Sequence, residues 1–367
     1  MQVTDIAIIG SGPAGLGAAI ETLKLGAKVT LIEENAEIGG QLFKQTHKFF
    51  GSYENYAGIR GFDIGKRLLQ SIEKEDIKIH LNTTAYDIIG KEIGILEDNK
   101  IKWIKAKKII FSCGASEKVI YFPGWTLPGV MGAGGAQTLV NIHRVLPGKR
   151  FLMIGSGNVG LVFSYQLLHA GAEVVAVVEA LPKIGGYGVH AAKICRAGVP
   201  IMTSHTIKEA QGSDKVEAAT IMAIDKNWCP IPGTEKTFKT DVICLAVGLR
   251  PNIELPLSVG CETMYLSALG GRVPIHDENM ETTLRGVYVA GDTAGVEEAD
   301  TAIDEGRLAG IAAAEELGYL AKGEAEKLKL NIQINLNDLR SGPFGIHRKA
   351  AKQQLLQKAT SLRRNSG

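Results

Sequence analysis

Three glycines near the start of the chain, Gly10, Gly12 and Gly15, are spaced Gly-x-Gly-x-x-Gly at the end of an apolar run, Asp5-Ile6-Ala7-Ile8-Ile9. That spacing can cradle a pyrophosphate. The first glycine permits a tight turn, the second leaves room for phosphate against the backbone, and the third lets a helix pack close to the strand. Pro13 and Ala14 lie between them, and a small-residue helix is expected over Leu16 to Leu25. Phosphates would meet the unpaired N–H groups and positive end of that helix. Glu33 closes a second apolar run, Lys28-Val29-Thr30-Leu31-Ile32, 23 residues after Gly10, and can accept hydrogen bonds from a ribose. A glycine turn alone would mean little; strand, turn, helix, strand and acid in this order are what dinucleotide binding needs.

The same pattern recurs. Phe151-Leu152-Met153-Ile154 runs into Gly155-Ser156-Gly157-Asn158-Val159-Gly160, a helix is expected over Leu161 to Ala170, and a strand over Val174 to Val178 ends at Glu179, 24 residues after Gly155. Each unit also has a closing apolar strand. The first is Ile109 to Ala115, which contains Cys113 and Gly114; the second is Val242 to Gly248, which ends in Val247 and Gly248. Two fingerprints with matched closing strands point to two nucleotide-binding units, the second inserted into the first.

Other stretches could do chemistry beside a nucleotide. Ile38-Gly39-Gly40-Gln41 follows the first acid, and its paired glycines can bring backbone against a flat ligand. His47 and Lys48 can then face that ligand's reactive edge; a mobile surface loop with an aromatic plug, Phe49-Phe50, accounts for them equally. Thr283 to Asp292 reads as a strand ending in Gly291-Asp292, with a helix from Thr301 to Leu317 behind it. Asp292 can accept from a sugar or ribityl hydroxyl, or simply cap that helix. The helix start can stabilise the negative charge that a reduced flavin develops. No residue stands out as a catalytic acid or base.

Composition narrows the class. The chain has 367 residues, enough for two domains, and 44 glycines. A formal net charge of +2 gives no case for nucleic-acid binding. No stretch is long and apolar enough to span a membrane, and the first strand leaves no room for a signal peptide, so a cytoplasmic location is expected. The five cysteines, Cys113, Cys195, Cys229, Cys244 and Cys261, form no CxxC or CxxxxC pair. That spacing argues against a redox disulfide, a local zinc site and an iron–sulfur cluster, and no metal is expected. Cys113 and Cys244 read as buried thiols inside strands.

The fold class is therefore α/β, with two Rossmann-like domains. The first comprises 1–117 and 249–320, and the inserted one 118–248. Gly65 to Glu75 reads as an amphipathic helix, Ile77 to Leu81 as a strand, Lys91 to Lys107 as an antiparallel meander, and Gly132 to Val145 as a helix with a small-residue start. Phe122 to Gly129 breaks periodicity and reads as a crossover between domains. Residues 321–367 carry ten Lys/Arg against three Asp/Glu, and Lys349 to Leu362 can form a basic helix. They read as a solvated tail or as a docking element for a partner subunit.

Residues 1 to about 320 resemble the two-dinucleotide-binding-domain flavoproteins of the pyridine nucleotide–disulfide oxidoreductase superfamily. Gly10-Ser11-Gly12-Pro13-Ala14-Gly15 looks like its FAD fingerprint, Gly155-Ser156-Gly157-Asn158-Val159-Gly160 its NAD(P)H fingerprint, and Gly291-Asp292 its flavin-contacting motif. Within it, Gly114-Ala115-Ser116-Glu117 with Phe122 to Met131 resembles the FAD-containing subunits of heteromeric amino-acid dehydrogenases. That group includes sarcosine oxidase alpha, proline and hydroxyproline dehydrogenase subunits, and the hydrogen cyanide synthase subunit. The resemblance implies an FAD site of Gly10, Gly12, Pro13, Ala14, Gly15, Glu33, Glu34, Gly40, Gln41, Ala85, Cys113, Gly114, Gly291, Asp292, Thr301 and Ala302. It implies an NAD(H) site of Gly155, Gly157, Asn158, Val159, Gly160, Glu179, Val247 and Gly248. Disulfide reductases of the superfamily carry a cysteine pair just after Gly39-Gly40 or near the helix starting at Gly132; this chain has none in either place.

An FAD-dependent oxidoreductase is implied, passing electrons between NAD(H) and a partner flavoprotein, an iron–sulfur subunit or a small amine or amino-acid substrate, as one component of a heteromer or other oligomer. A stand-alone NADH-dependent reductase or oxidase is one alternative. A non-catalytic nucleotide-binding subunit, with ADP or ATP at the second site, is another. Glu179 predicts preference for NADH over NADPH, since a 2′-phosphate would meet a carboxylate.

Overall fold

The computed structural model describes residues 1–73, 76–343 and 345–365. The chain divides into two compact units, Met1–Ser116 with Arg250–Gly367, and Glu117–Leu249. The first crossing falls at Ser116, and Phe122 is buried in the second unit's own core. The segment expected as the crossover, Phe122 to Gly129, is thus interior to the inserted unit.

In the first unit, strands Ile77–His80, Val29–Ile32, Gln2–Ile9, Lys100–Phe111, Glu92–Glu97 and Thr84–Ile89 lie side by side in that order, and Val287–Val289 also pairs with Lys100–Phe111. Lys100–Phe111 joins the parallel and antiparallel halves of this one sheet. Its first half pairs antiparallel with Glu92–Glu97, and its second half parallel with Gln2–Ile9, Ile9 opposite Phe111. Ile6, Ile8, Leu31, Ile109 and Ile110 fill the sheet interior, fully shielded from water. Such near-continuous apolar strands suit a parallel sheet covered on both faces.

Helices Pro13–Lys24 and Ala299–Glu316 cover one face and pack nearly backbone to backbone. A Cβ on Gly306 would lie 1.9 Å from the Ala14 carbonyl oxygen, and one on Gly17 2.4 Å from that of Ile303. This close approach explains the small residues that start both helices. The helix expected over Gly65–Glu75 is Gly61–Gln70, and residues 74 and 75 lie outside the described residues.

In the inserted unit, five parallel strands run in the order Ile201–Met202, Glu173–Val178, Arg150–Ile154, Val242–Leu245, Val130–Gly132. Helix Asn158–His169 packs on this sheet through Leu161, Phe163 and Leu167. A separate antiparallel sheet is built from His205–Gln211, Ala218–Ala223 and Lys236–Lys239.

The basic C-terminal stretch is not a solvated tail. It forms helices Lys322–Leu339 and Ile346–Asn365. Ala351 and Leu355 of the second pack with Leu266, Leu269 and Val273. Five of its ten cations pair with upstream acids, through Lys329–Glu315, Arg340–Glu297, Arg348–Glu298, Lys352–Glu305 and Arg363–Asp277. Among the described residues no helix is long and apolar enough to cross a membrane.

Candidate cofactor sites

The first glycine turn is shaped from below by its own sheet. Gly10 has φ +98°, and a Cβ there would lie 2.3 Å from the Ser112 carbonyl oxygen, so only glycine fits. A Cβ on Gly15 would lie 1.9 Å from the Gly10 carbonyl oxygen. Gly12 differs, because a Cβ there would have no protein atom within 4 Å. Protein packing therefore demands the outer two glycines, while the space beside the middle one is open for a ligand. The second turn repeats this. Cβ atoms on Gly155 and Gly160 would each come within 2.2 Å of a carbonyl oxygen, and one on Gly157 would meet nothing within 4 Å. Both turns start a helix, whose first N–H groups have no intrahelical acceptor. Open space over such donors fits a pyrophosphate.

Each acid is locked to its turn by a serine. Ser11 donates to Glu33 Oε2 from its backbone N–H at 2.9 Å and from its hydroxyl at 2.6 Å. Ser156 donates to Glu179 Oε2 at the same two distances. The other carboxylate oxygen accepts from Asn35 in the first unit and from the Leu181 N–H in the second. Both carboxylates are buried at the end of their strand. Backbone bonds to the third strand match too: Glu33 with His80 and Thr83, Glu179 with Met202 and His205. The two serines were visible in both fingerprints, and sequence reasoning gave them no role.

A second repeat went unread. Ile38-Gly39-Gly40 and Ile184-Gly185-Gly186 each begin five residues after the acid. Gly39 N–H donates to the Ser11 carbonyl at 3.0 Å, and Gly186 N–H to that of Ser156 at 2.8 Å. In the first unit this loop closes over the turn, a Cβ on Gly40 lying 2.9 Å from Gly12 Cα. Gln41 and Glu34 are exposed. His47 stacks on Phe49 with 5.8 Å between ring centres, and backbone bonds tie Gln45, His47 and Phe49 to Phe62, Gly61 and Ile59.

Other expected residues take distinct places. Cys113 sits just beyond its strand, which ends at Phe111, and not inside it; burial pushes its thiol up to about 12. Cys244 is within Val242–Leu245 and also shifted up by burial. Gly114 and Gly248 both have positive φ. Ala85 lies on Thr84–Ile89 opposite Ile95, two residues beyond Thr83. Val247 packs against the inserted unit's core, Asn158 Oδ1 accepts from the Tyr187 N–H at 2.9 Å, and Val159 is exposed at the helix start. Thr301 donates its hydroxyl to the Glu298 carbonyl at 2.6 Å, so that group is committed to the helix start, and Ala302 packs behind Gly291.

Gly291-Asp292 follows Val287–Val289, and a Cβ on Gly291 would lie 2.8 Å from Ala14 Cβ. The motif is thereby pinned against the first fingerprint helix. Asp292 accepts from the Glu297 N–H at 3.3 Å, and burial, with Glu298, Glu305 and Glu297 nearby, pushes its carboxyl up to about 7. A carboxyl whose neutral form is favoured in this way can both donate and accept a hydrogen bond.

In the inserted unit, Glu117 occupies the N-terminus of helix Ala133–Asn141, accepting from Gly134 N–H at 2.6 Å and Gly135 N–H at 3.2 Å. Cβ atoms on Gly132 and Gly134 would strike that carboxylate at 2.1 and 3.1 Å. The small-residue start of this helix makes room for an internal acid, which sequence reasoning missed.

Comparison with known proteins agrees with this geometry. The family model for pyridine nucleotide-disulphide oxidoreductases matches residues 4–306. An opine oxidase subunit of Agrobacterium tumefaciens (strain Ach5) is 25% identical over 85% of this chain and 66% of that protein. The chain thus spans just under two thirds of that relative's length. Hydrogen cyanide synthase subunit HcnB of Pseudomonas protegens is 26% identical over 87% of the chain and 72% of that protein. Among solved structures, L-proline dehydrogenase from P. horikoshii superposes with a TM-score of 0.68 at 25% identity, over 92% of this chain and 59% of that one. With two glycine turns open to a pyrophosphate, the residues fit the FAD and NAD(P) that this family binds, and the chain belongs to the pyridine nucleotide-disulphide oxidoreductase family of flavoproteins.

Proposed function

We propose that this oxidoreductase is the electron-transfer subunit of a heteromeric amino-acid dehydrogenase, with FAD in the first unit and NAD(H) in the inserted one. The carrying observation is the pair of independent cradles, each with its middle glycine open and its acid clasped by serine. Bound FAD supplies a hydride acceptor and donor that no side chain provides. The chain's own residues bind and orient. Gly12 and Gly157 admit the pyrophosphates, Glu33 and Glu179 receive the riboses, and Asp292 receives a ribityl hydroxyl.

Two features support the subunit reading. The cysteines are unpaired, and burial holds Cys113 and Cys244 as thiols, which leaves no attacking and resolving pair for disulfide exchange. The two relatives above are named as subunits, one of opine oxidase and one of hydrogen cyanide synthase. Anaerobic titration of the purified, yellow chain with NADH tests the reading. Flavin bleaching with poor turnover on oxygen or quinones supports it. Rapid turnover on such an acceptor, with no partner present, would make it a stand-alone reductase. No bleaching at saturating NADH would leave a nucleotide-binding subunit.

A further inference from the structure

The two C-terminal helices lie beyond the 4–306 match, yet they reach into the flavin-motif region of the first unit. Arg340, just after Lys322–Leu339, forms a two-bond fork on Glu297, Nε to Oε2 and Nη2 to Oε1, each 2.8 Å. Its Nη2 also reaches Glu305 Oε1 at 2.6 Å. Lys352, in the next helix, donates to the same Glu305 oxygen at 2.6 Å and to the Ala294 carbonyl at 3.1 Å. The second Glu305 oxygen accepts from the backbone N–H of Gly291 at 3.0 Å. The backbone N–H of Glu297 in turn donates to Asp292. A chain of bonds therefore runs from each cation to one residue of the Gly291-Asp292 pair.

The side chains of Glu297, Glu305 and Lys352 are about 95% shielded from water or more, and Arg340 nearly so. Two buried carboxylates are balanced by two cations, so the cluster is neutral. Glu298 pairs with Arg348 at its edge, and His276, pushed down to about 3 by burial and by Lys352, adds no charge near neutrality. Without either cation, a carboxylate would stand uncompensated beside Asp292, and an unpaired buried charge is strongly unfavourable.

We propose that Arg340 and Lys352 are positioning residues for the flavin: through Glu297 and Glu305 they hold the Gly291–Ala302 segment in register and keep net negative charge away from it. This rests on the placement of FAD at Gly291-Asp292. Loss of Lys352 leaves Glu297 and Glu305 to share Arg340 alone, and the net negative charge disfavours a flavin that gains electrons and lowers its reduction potential. A purely structural anchor for the C-terminal helices would instead respond to any loosening of those helices.

The test compares three variants of the full chain. Lys352→Met removes the cation. Lys352→Met with Glu305→Gln restores neutrality and keeps an acceptor for the Gly291 N–H. Leu355→Ala loosens the same helix without touching charge. The readouts are FAD dissociation, flavin midpoint potential, and amide exchange over 290–302 in the apoprotein. Lys352→Met is expected to weaken FAD binding about tenfold or more, lower the potential and speed exchange. The double variant is expected to return the potential to the wild-type value, and Leu355→Ala to lower thermal stability alone. An unchanged potential together with unchanged exchange in the folded Lys352→Met protein, or the same shift in Leu355→Ala, would overturn the proposal. If Lys352→Met fails to fold, a double variant that folds with a potential still shifted to the same side as removal of a cation would overturn it as well. Faster exchange over 290–302 with FAD affinity and potential unchanged would mark the placement of FAD, rather than the clamp, as wrong.

Discussion

The two fingerprint units build the same cradle and then surround it differently. Serine, acid, third-strand bonds and a following Ile-Gly-Gly coincide. In the first unit, Ser112 also donates to the Gly10 carbonyl at 2.8 Å, and a second helix presses against the fingerprint helix at glycine distance. In the inserted unit, Ala246 stands where Ser112 stands, the helix packs through side chains, and Val159 is exposed at its start. A fingerprint thus specifies what is held, and its surroundings decide how firmly the cradle is enclosed. Enclosure suits a resident cofactor and openness an exchanging one.

That comparison can be broken most sharply at the middle glycines. Gly12→Val should give a folded but colourless protein, because its side chain enters open space that only a ligand needs. Gly157→Val should keep the FAD absorbance and lose NADH-dependent bleaching. Gly15→Val should fail to fold, because its Cβ would meet the Gly10 carbonyl at 1.9 Å. Circular dichroism and the visible spectrum separate the three outcomes. A yellow Gly12→Val protein would remove the first cradle as the FAD site.

The acids come next. Glu179→Ala removes the anchor of Ser156 and, on the proposed reading, the ribose acceptor, so NADH affinity should fall by about tenfold, as expected for a hydrogen-bonded charge. NADPH should lose less, since the repelling carboxylate is gone. Anaerobic titration with each nucleotide measures both, and FAD should stay bound. If wild-type protein responds equally to NADPH, Glu179 serves its turn and does not select the ribose.

A smaller effect is expected at Asp292 in the apoprotein. Its folded carboxyl is raised from the ordinary 3.8 to about 7. Between these values the unfolded chain ionises while the folded one keeps its proton, so stability falls as pH rises through that window. Asp292→Asn should therefore gain stability over wild type from pH 4 to pH 7, as read by thermal melting of the two apoproteins. Identical slopes would show that the burial of this carboxyl is relieved. Least of all should change when the five cysteines are replaced by Ala or Ser. NADH should still bleach the flavin at the wild-type rate, and loss of bleaching in a folded, FAD-loaded variant would reveal a thiol step.

Much of this was legible because it is local. Glycine spacing, the acid at a strand end and the closing apolar run each rest on neighbours within one βαβ unit. The clasp was half visible, since serine occupies the same place in both turns, but its partner lies 22 and 23 residues away. The C-terminal stretch misled for a physical reason. A count of charges reads solvation when the compensating acids are out of sight, and Glu297 and Glu305 lie 35 to 55 residues before Arg340 and Lys352. Glu117 was hidden likewise, because a small-residue helix start does not say what fills the space it leaves.

The backbone contact between Pro13–Lys24 and Ala299–Glu316 also sets an order of events during synthesis. Glu21 meets its partner Arg307 across 286 residues of chain. The inserted unit, by contrast, is contiguous and complete by Leu249. On the ribosome it can fold as soon as it emerges, while the earlier-made strand and helix of the first unit wait for the last third of the chain. A nascent chain with everything through Leu249 outside the ribosome, but not yet Ala299–Glu316, would then carry a folded inserted unit beside an incomplete first unit.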